Sequence, residues 1–147
     1  MKKIICFVIF LALTGCGLQG GDLQKLEVQT AQGVFEFDVE VANTTEERAK
    51  GLMNRDEMLD SRGMVFLFSK PDIQTFWMKD TLLPLDIIFI NGNWEIVKID
   101  KNVQPCGAKE DKDCALYRAD NSQYVLEINA GLADKNAFNV GDKVVLK

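Results

Sequence analysis

The sequence predicts a mainly β domain, a small β-sandwich or barrel carrying one short α-helix at about residues 45–52. Three observations carry this prediction. Phe35, Phe37, Val39 and Val41 alternate with Glu36, Asp38 and Glu40, the period of a strand with one wet face. Met64 to Phe68 and Ile87 to Ile90 are continuous apolar runs of strand length, which read as central strands covered on both faces. Regular turn signals then separate many such short runs, as in sandwiches and barrels.

Taken in order, Leu26 to Thr30 pairs with the Phe35 strand across Ala31-Gln32-Gly33. The helix follows. Thr44 with Glu47 three residues on forms a capping box, and Glu46 to Lys50 continue it until Gly51. Asn91-Gly92 after Ile90 signals a tight type I′ hairpin leading into a returning strand, Trp94 to Asp100. Tyr124 to Ile128 and Lys143 to Leu146 supply further strands. Between them, Ala130 to Phe138 forms a helical turn before Gly141-Asp142 reverses the chain.

The first residues belong to an address rather than to the domain. Lys2 and Lys3 precede an apolar run from Ile4 to Leu13, about 15 Å of helix against a hydrocarbon core of roughly 30 Å. Leu13-Thr14-Gly15-Cys16 resembles the bacterial lipoprotein signal, which implies cleavage before Cys16 and acylation of that cysteine. The alternative is an ordinary secretory signal. The expected organisation is a cleaved signal at 1–15, a lipidated Cys16 with a flexible tether to residue 23, and one β-rich domain over 24–147. Gly17 to Leu23 reaches roughly 15 Å as a coil. By resemblance to enterobacterial sorting rules, Gly17 after the cysteine favours the outer membrane, with the domain facing the periplasm.

Removal of Lys2 and Lys3 leaves 15 of the 17 basic side chains against 22 acidic ones, a net −7. No basic run is present, which argues against nucleic acid as a partner. Of the 4 cysteines, Cys106 and Cys114 remain as an even pair in an oxidising compartment. A disulfide between them is expected; a two-cysteine metal site with Glu110, Asp111 and Asp113 is the alternative. The chain has 0 histidines, which excludes Ser-His-Asp and Cys-His catalysis and an ordinary zinc-hydrolase site. No cofactor is implied.

Several blocks are similar to one bacterial and archaeal family, catalogued as domain of unknown function 192. They are Gly51-Leu52-Met53-x-Arg55, Gly63 to Phe68, Phe76-Trp77-Met78-Lys79-Asp80-Thr81-Leu82-x-Pro84-Leu85-Asp86 through Ile90, Pro105-Cys106 with Cys114-x-x-Tyr117, Tyr124 to Gly131, and Gly141-Asp142. The resemblance covers about Leu26 to Leu146. Position 80 is Asp where the family often has Asn. The resemblance implies a compact jelly-roll-like β-fold and no established activity.

The candidate site comes from charges inside an apolar run. Thr75 to Ile90 carries Lys79, Asp80, Thr81 and Asp86, and charges in such runs are paired, exposed at a bend, or used. Arg55, Trp77, Lys79, Thr81 and Asp86 form the candidate cluster, either a ligand site or a structural charge network in which Asp86 caps a turn or pairs with Lys79 or Arg55. Asp86 and Glu127 are also a conceivable acid/base pair of the glycosidase kind; otherwise Glu127 points to solvent. Trp77 and Trp94 offer an aromatic platform for sugars, or core. Met53, Met58, Met64 and Met78 are expected to be core filler. The expectation is a membrane-anchored envelope lipoprotein, a non-catalytic binding or accessory domain for a glycan, peptide or protein. The alternatives are an envelope glycan hydrolase using a carboxylate pair, and a lipoprotein that packs structurally against other envelope proteins.

Overall fold

The computed structural model describes residues 23–107 and 111–147. The signal segment, Cys16, the tether up to residue 22 and Glu110 lie outside the described residues.

Seven strands and two short helices follow in the order β1 (Gln24–Thr30), β2 (Gly33–Ala42), α1 (Thr45–Lys50), β3 (Arg62–Phe76), β4 (Leu85–Ile90), β5 (Ile96–Val103), β6 (Tyr117–Asn129), α2 (Leu132–Lys135) and β7 (Lys143–Leu146). They form a single sheet in the order β5-β4-β6-β3-β2-β1-β7. The β2–β3 pair is parallel, with α1 in its crossover, and the other ladders are antiparallel. The sheet curls far enough that the turn before β5 touches β7. Glu95 bridges Lys143, and Val144 donates its N–H to the Trp94 carbonyl at 2.8 Å. The outcome is a curled half-barrel within the expected class, built from one sheet.

The apolar runs of β3, β4 and β6 are buried on both faces, as their composition predicts. Val65, Ile88, Ile90, Leu126 and Ile128 face an inner core closed by α2, Phe138 and β7. Their neighbours Met64, Phe66, Ile87, Phe89 and Val125 face a second, outer core. That outer core is covered by chain outside the sheet: Leu52 after α1, and Met78 and Leu83 from the segment between β3 and β4. Side chains alternate across a strand, so two cores on one sheet require this cover.

The helix forms where expected and ends at Lys50, two residues short of the expected bound, because Gly51 takes φ 47°; the expected helical turn is α2 at Leu132–Lys135. Two expectations need correction. The hairpin after Ile90 is not a type I′ turn. Its positive φ falls on Trp94 (59°), and the Asn91 N–H bonds the Glu95 carbonyl at 2.9 Å, giving a three-residue loop. The Asn91 side chain accepts from the N–H groups of Asn93 and Glu95 and holds this longer turn. Finally, β3 does not end at Phe68. After a register shift around Pro71 it continues to Phe76 against the first half of β6.

Candidate functional site

β6 places one carboxylate where the alternation calls for an apolar residue. Val125 and Glu127 face the outer core, and Glu127 sits in register between Met64 of β3 and Ile87 of β4. It is 5% exposed. Gly63, beside it on β3, permits this close strand contact: a Cβ there would lie 2.7 Å from the Glu127 carbonyl oxygen. Among the described residues nothing donates a hydrogen bond to the Glu127 carboxyl, and burial pushes its pKa up to about 8. The carboxyl opens onto a cavity of about 40 Å³.

Two covering segments wall that cavity. The first is the end of α1. Thr44 accepts the Glu47 N–H at 3.1 Å and the Glu47 carboxylate accepts the Thr44 N–H at 3.0 Å, the expected capping box. That carboxylate is held below the ordinary range by these backbone donors. Gly51 then swings the chain over Phe66, whose ring would lie 3.3 Å from a Cβ at that position, and Leu52 and Met53 follow. The second segment runs from Phe76 through Trp77 to Thr81. The two are tied together where the Asn54 N–H donates to the Asp80 carbonyl at 2.7 Å. Asp80 has φ 51°, a left-handed conformation that Asp and Asn both tolerate, so Asp in place of the family's usual Asn keeps the turn.

The outer end of the second segment is fastened to the disulfide loop. Cys106 and Cys114 are joined, with Cα atoms 5.7 Å apart, which bears out the disulfide and leaves no thiolates for the two-cysteine metal site. Lys79 pairs with Asp111 at 2.5 Å and lies 5.4 Å from the Trp77 ring centroid. Among the described residues no group of three or more His, Cys, Asp or Glu is placed to hold a metal ion.

A larger cavity of about 340 Å³ adjoins this one, and Lys50 and Gly51 line both. Arg55 lies in its wall, bonded through both terminal nitrogens to Glu40 at 2.5 and 2.7 Å, which holds the Glu40 carboxyl below the ordinary range. Gln24, at the start of β1, lies on the rim.

Trp77, Lys79 and Thr81 are therefore brought together, and Arg55 lies in the neighbouring cavity. Asp86 is elsewhere. It is fully buried on the other face of the sheet, opposite Ile128, and its two oxygens accept the Asn102 and Ala133 N–H groups at 2.8 Å each. It caps backbone and pairs with neither Lys79 nor Arg55. The acid/base pair does not form either. Asp86 shares a face with Ile128 and Glu127 shares one with Ile87, so the two carboxylates point to opposite sides of the sheet. Nor does Glu127 point to open solvent, because the second half of β6, from Val125 to Ile128, is buried on both faces. Trp77 and Trp94 make no joint platform: Trp94 stacks on Tyr124 at 3.9 Å against the inner core. Met64 and Met78 are outer-core filler with Met58 packed against them, whereas Met53 lines the small cavity.

Apart from Arg48, Ala49 and Lys50 of α1, the walls of the small cavity come from blocks already noted for their resemblance. The profile of the family described as "Uncharacterized ACR", domain of unknown function 192, matches residues 26–146. The chain belongs to that family. Among solved structures, this member is similar to a protein of unknown function from Novosphingobium aromaticivorans DSM 12444, at 40% identity and TM-score 0.77, covering 84% of each chain. It is also similar to a protein from Sinorhizobium meliloti 1021 that is provisionally labelled a transcription regulator. That match has 32% identity and TM-score 0.77, and covers 84% of this chain and 93% of the other. Among curated proteins, none matches the chain. Within the family's fold, then, Glu127 is the buried carboxylate that fold stability does not explain.

Proposed function

We propose that this family member is a lipid-anchored envelope lipoprotein whose β domain is a non-catalytic binding module for a glycan, peptide or protein. The observation that carries the binding reading is the pair of adjoining cavities on the outer face of the sheet, one with a ligand-sized volume and one ending on Glu127. The anchor reading rests on Leu13-Thr14-Gly15-Cys16. Gln24 on the rim of the larger cavity supports the two together, since a short tether from Cys16 keeps that rim close to the membrane, within roughly 15 Å. In this reading the ligand is met at the outer membrane, on its periplasmic side. The label carried by the Sinorhizobium meliloti protein finds no support in the charge of this chain, which lacks a basic run.

Isothermal titration of the full chain against cell-wall fragments, exported polysaccharides and envelope peptides tests the binding reading. Binding that weakens in Arg55→Ala or Glu127→Gln supports it. Silence across the panel, together with specific in-cell crosslinks to another envelope protein, would replace it with a structural packing role. Mass spectrometry of the membrane fraction, with Cys16→Ser as control, tests the anchor. A mature N-terminus at Cys16 without acyl mass, or cleavage elsewhere, would refute it.

A further inference from the structure

Five polar or charged side chains are buried among the described residues: Gln74, Thr81, Asp86, Ser122 and Glu127. Four of them have partners. Gln74 donates to the Ser122 carbonyl at 3.3 Å, Thr81 to the Lys79 carbonyl at 3.3 Å, and Ser122 to the Ala119 carbonyl at 3.4 Å, while Asp86 accepts its two N–H groups. Glu127 alone has none. A buried carboxyl without a partner costs the fold free energy, so its retention calls for a use.

The cavity over Glu127 defines what would complete it. Its walls include the rings of Phe66, Phe76 and Trp77, whose faces attract cations, and the apolar chains of Leu52 and Met53. At about 40 Å³ it takes a water-sized group and excludes a sugar ring. The protein does not supply the missing charge itself. Arg48 and Lys50 are the charged groups that line the cavity with Glu127, and neither bonds it. The Arg48 guanidinium is turned to the Asn43 and Leu67 carbonyls at 2.6 and 3.0 Å. Lys79, nearby on Trp77, is held by Asp111.

We propose that this cavity binds a primary ammonium group on a flexible stem, the end of a lysine side chain in a peptide or protein ligand. The inference rests on the reading of the domain as a binding module and names the group that its inner cavity recognises. On entry the ammonium takes the place of cavity water, the Glu127 carboxyl gives up its proton to solvent, and a carboxylate–ammonium pair forms beside the aromatic faces. The aliphatic stem runs out past Leu52 and Met53. Charge and atoms balance: one cation enters and one proton leaves. Burial keeps the empty site largely neutral at pH 7, so the released proton is a direct reporter of the pairing.

The test is calorimetric titration of the full chain with acetyl-Gly-Lys-Gly-amide, in buffers of different ionisation enthalpy at pH 7. The Nε-acetylated peptide serves as the control. The lysine peptide is expected to bind with Kd at or below about 1 mM and to release close to one proton. The acetylated peptide is expected not to bind, and Glu127→Gln should weaken binding by about tenfold or more while melting cooperatively. Met53→Trp, which adds bulk at a half-buried wall of the cavity and leaves the carboxyl intact, is expected to weaken binding in parallel. No binding of the lysine peptide, equal binding of both peptides, absence of proton release, or unchanged affinity in Glu127→Gln would each overturn the proposal. Glycan or acetylated-peptide binding that survives in Glu127→Gln would overturn it and leave the binding-module reading standing.

Discussion

Glu127→Gln is expected to stabilise the domain progressively as pH rises from 5 to 8. The Glu127 pKa is raised from 4.5 in the unfolded chain to about 8 in the native one. Between those values the native state holds a proton that the unfolded state has lost, so stability falls with increasing pH, by about 1.4 kcal/mol per unit. From pH 5 to pH 8 the wild-type protein should lose about 3 kcal/mol that the isosteric Gln variant keeps. The other resolved shifts do not enter this window. Asp38, Glu40, Glu47 and Glu95 are lowered, from 3.8 for the aspartate and 4.5 for the glutamates, so what they contribute is lost only in acid. Lys25, Lys79 and Lys147 are raised from 10.5 and Arg55 is raised by its bond to Glu40, so what they contribute is lost only in strong base. Urea denaturation of both proteins at intervals across pH 5 to 8 measures the difference. Two curves that run parallel over the range would show that Glu127 ionises normally, and the description of an unpartnered buried acid would then be wrong.

Three further substitutions probe the scaffold around the site. Asp86→Ala strands the buried Ala133 N–H and releases the part-buried Asn102 N–H, and should cost about 2–3 kcal/mol by chemical denaturation; a loss under about 1 kcal/mol would contradict the capping role. Gly51→Ala places a Cβ at φ 47° against Phe66, an expected loss of about 1–2 kcal/mol in the same assay, and a neutral result would mean the turn relaxes freely. Replacing Cys106 and Cys114 by Ser should cost about 2–3 kcal/mol through the small loop they close. It should also change the fluorescence of Trp77, because the loop carries Asp111 and so holds Lys79 over that ring; an unchanged emission spectrum would separate the disulfide from the cavity wall.

Much of the fold was legible because it is written in local patterns. The alternation in β2, the unbroken apolar runs of β3 and β4, and the Thr44–Glu47 box each specify an element without reference to the rest of the chain. What escaped depends on which strands become neighbours. The continuation of β3 past Pro71 needs the first half of β6 as its partner, and the wider turn at Asn91 needs the Asx bonds that only the folded loop provides. The site was half legible for the same reason. A charge inside an apolar run was the right criterion, and it found Trp77 to Thr81, but it also found Asp86, whose partners are backbone groups from distant segments. Glu127 meets the same criterion within Tyr124 to Ile128. Its importance emerged only with the register that puts it between Met64 and Ile87, beneath a cover supplied by two other segments.

Asp86 and Glu127 together show why such a site is affordable in a domain of this size. They lie on adjacent antiparallel strands, one residue out of step, and so face opposite cores. On the inner face, where the barrel is closed by α2 and β7, the carboxylate is fully satisfied and fastens α2 and β5 to the sheet. On the outer face, where the end of α1 and the turns after it and after β3 provide the cover, the carboxylate is left without a partner among the described residues. The two faces thus treat their acids differently: the inner one is bonded to backbone of β5 and α2, and the outer one opens onto a cavity. A conformational strain or desolvation cost persists only where the surrounding structure over-determines it. The same division predicts where flexibility belongs: the covering segments at Gly51–Met53 and Trp77–Thr81 can part to admit a ligand without disturbing the ladder that positions Glu127. A more stable Glu127→Gln protein that no longer binds would be the expected signature of that trade between stability and function.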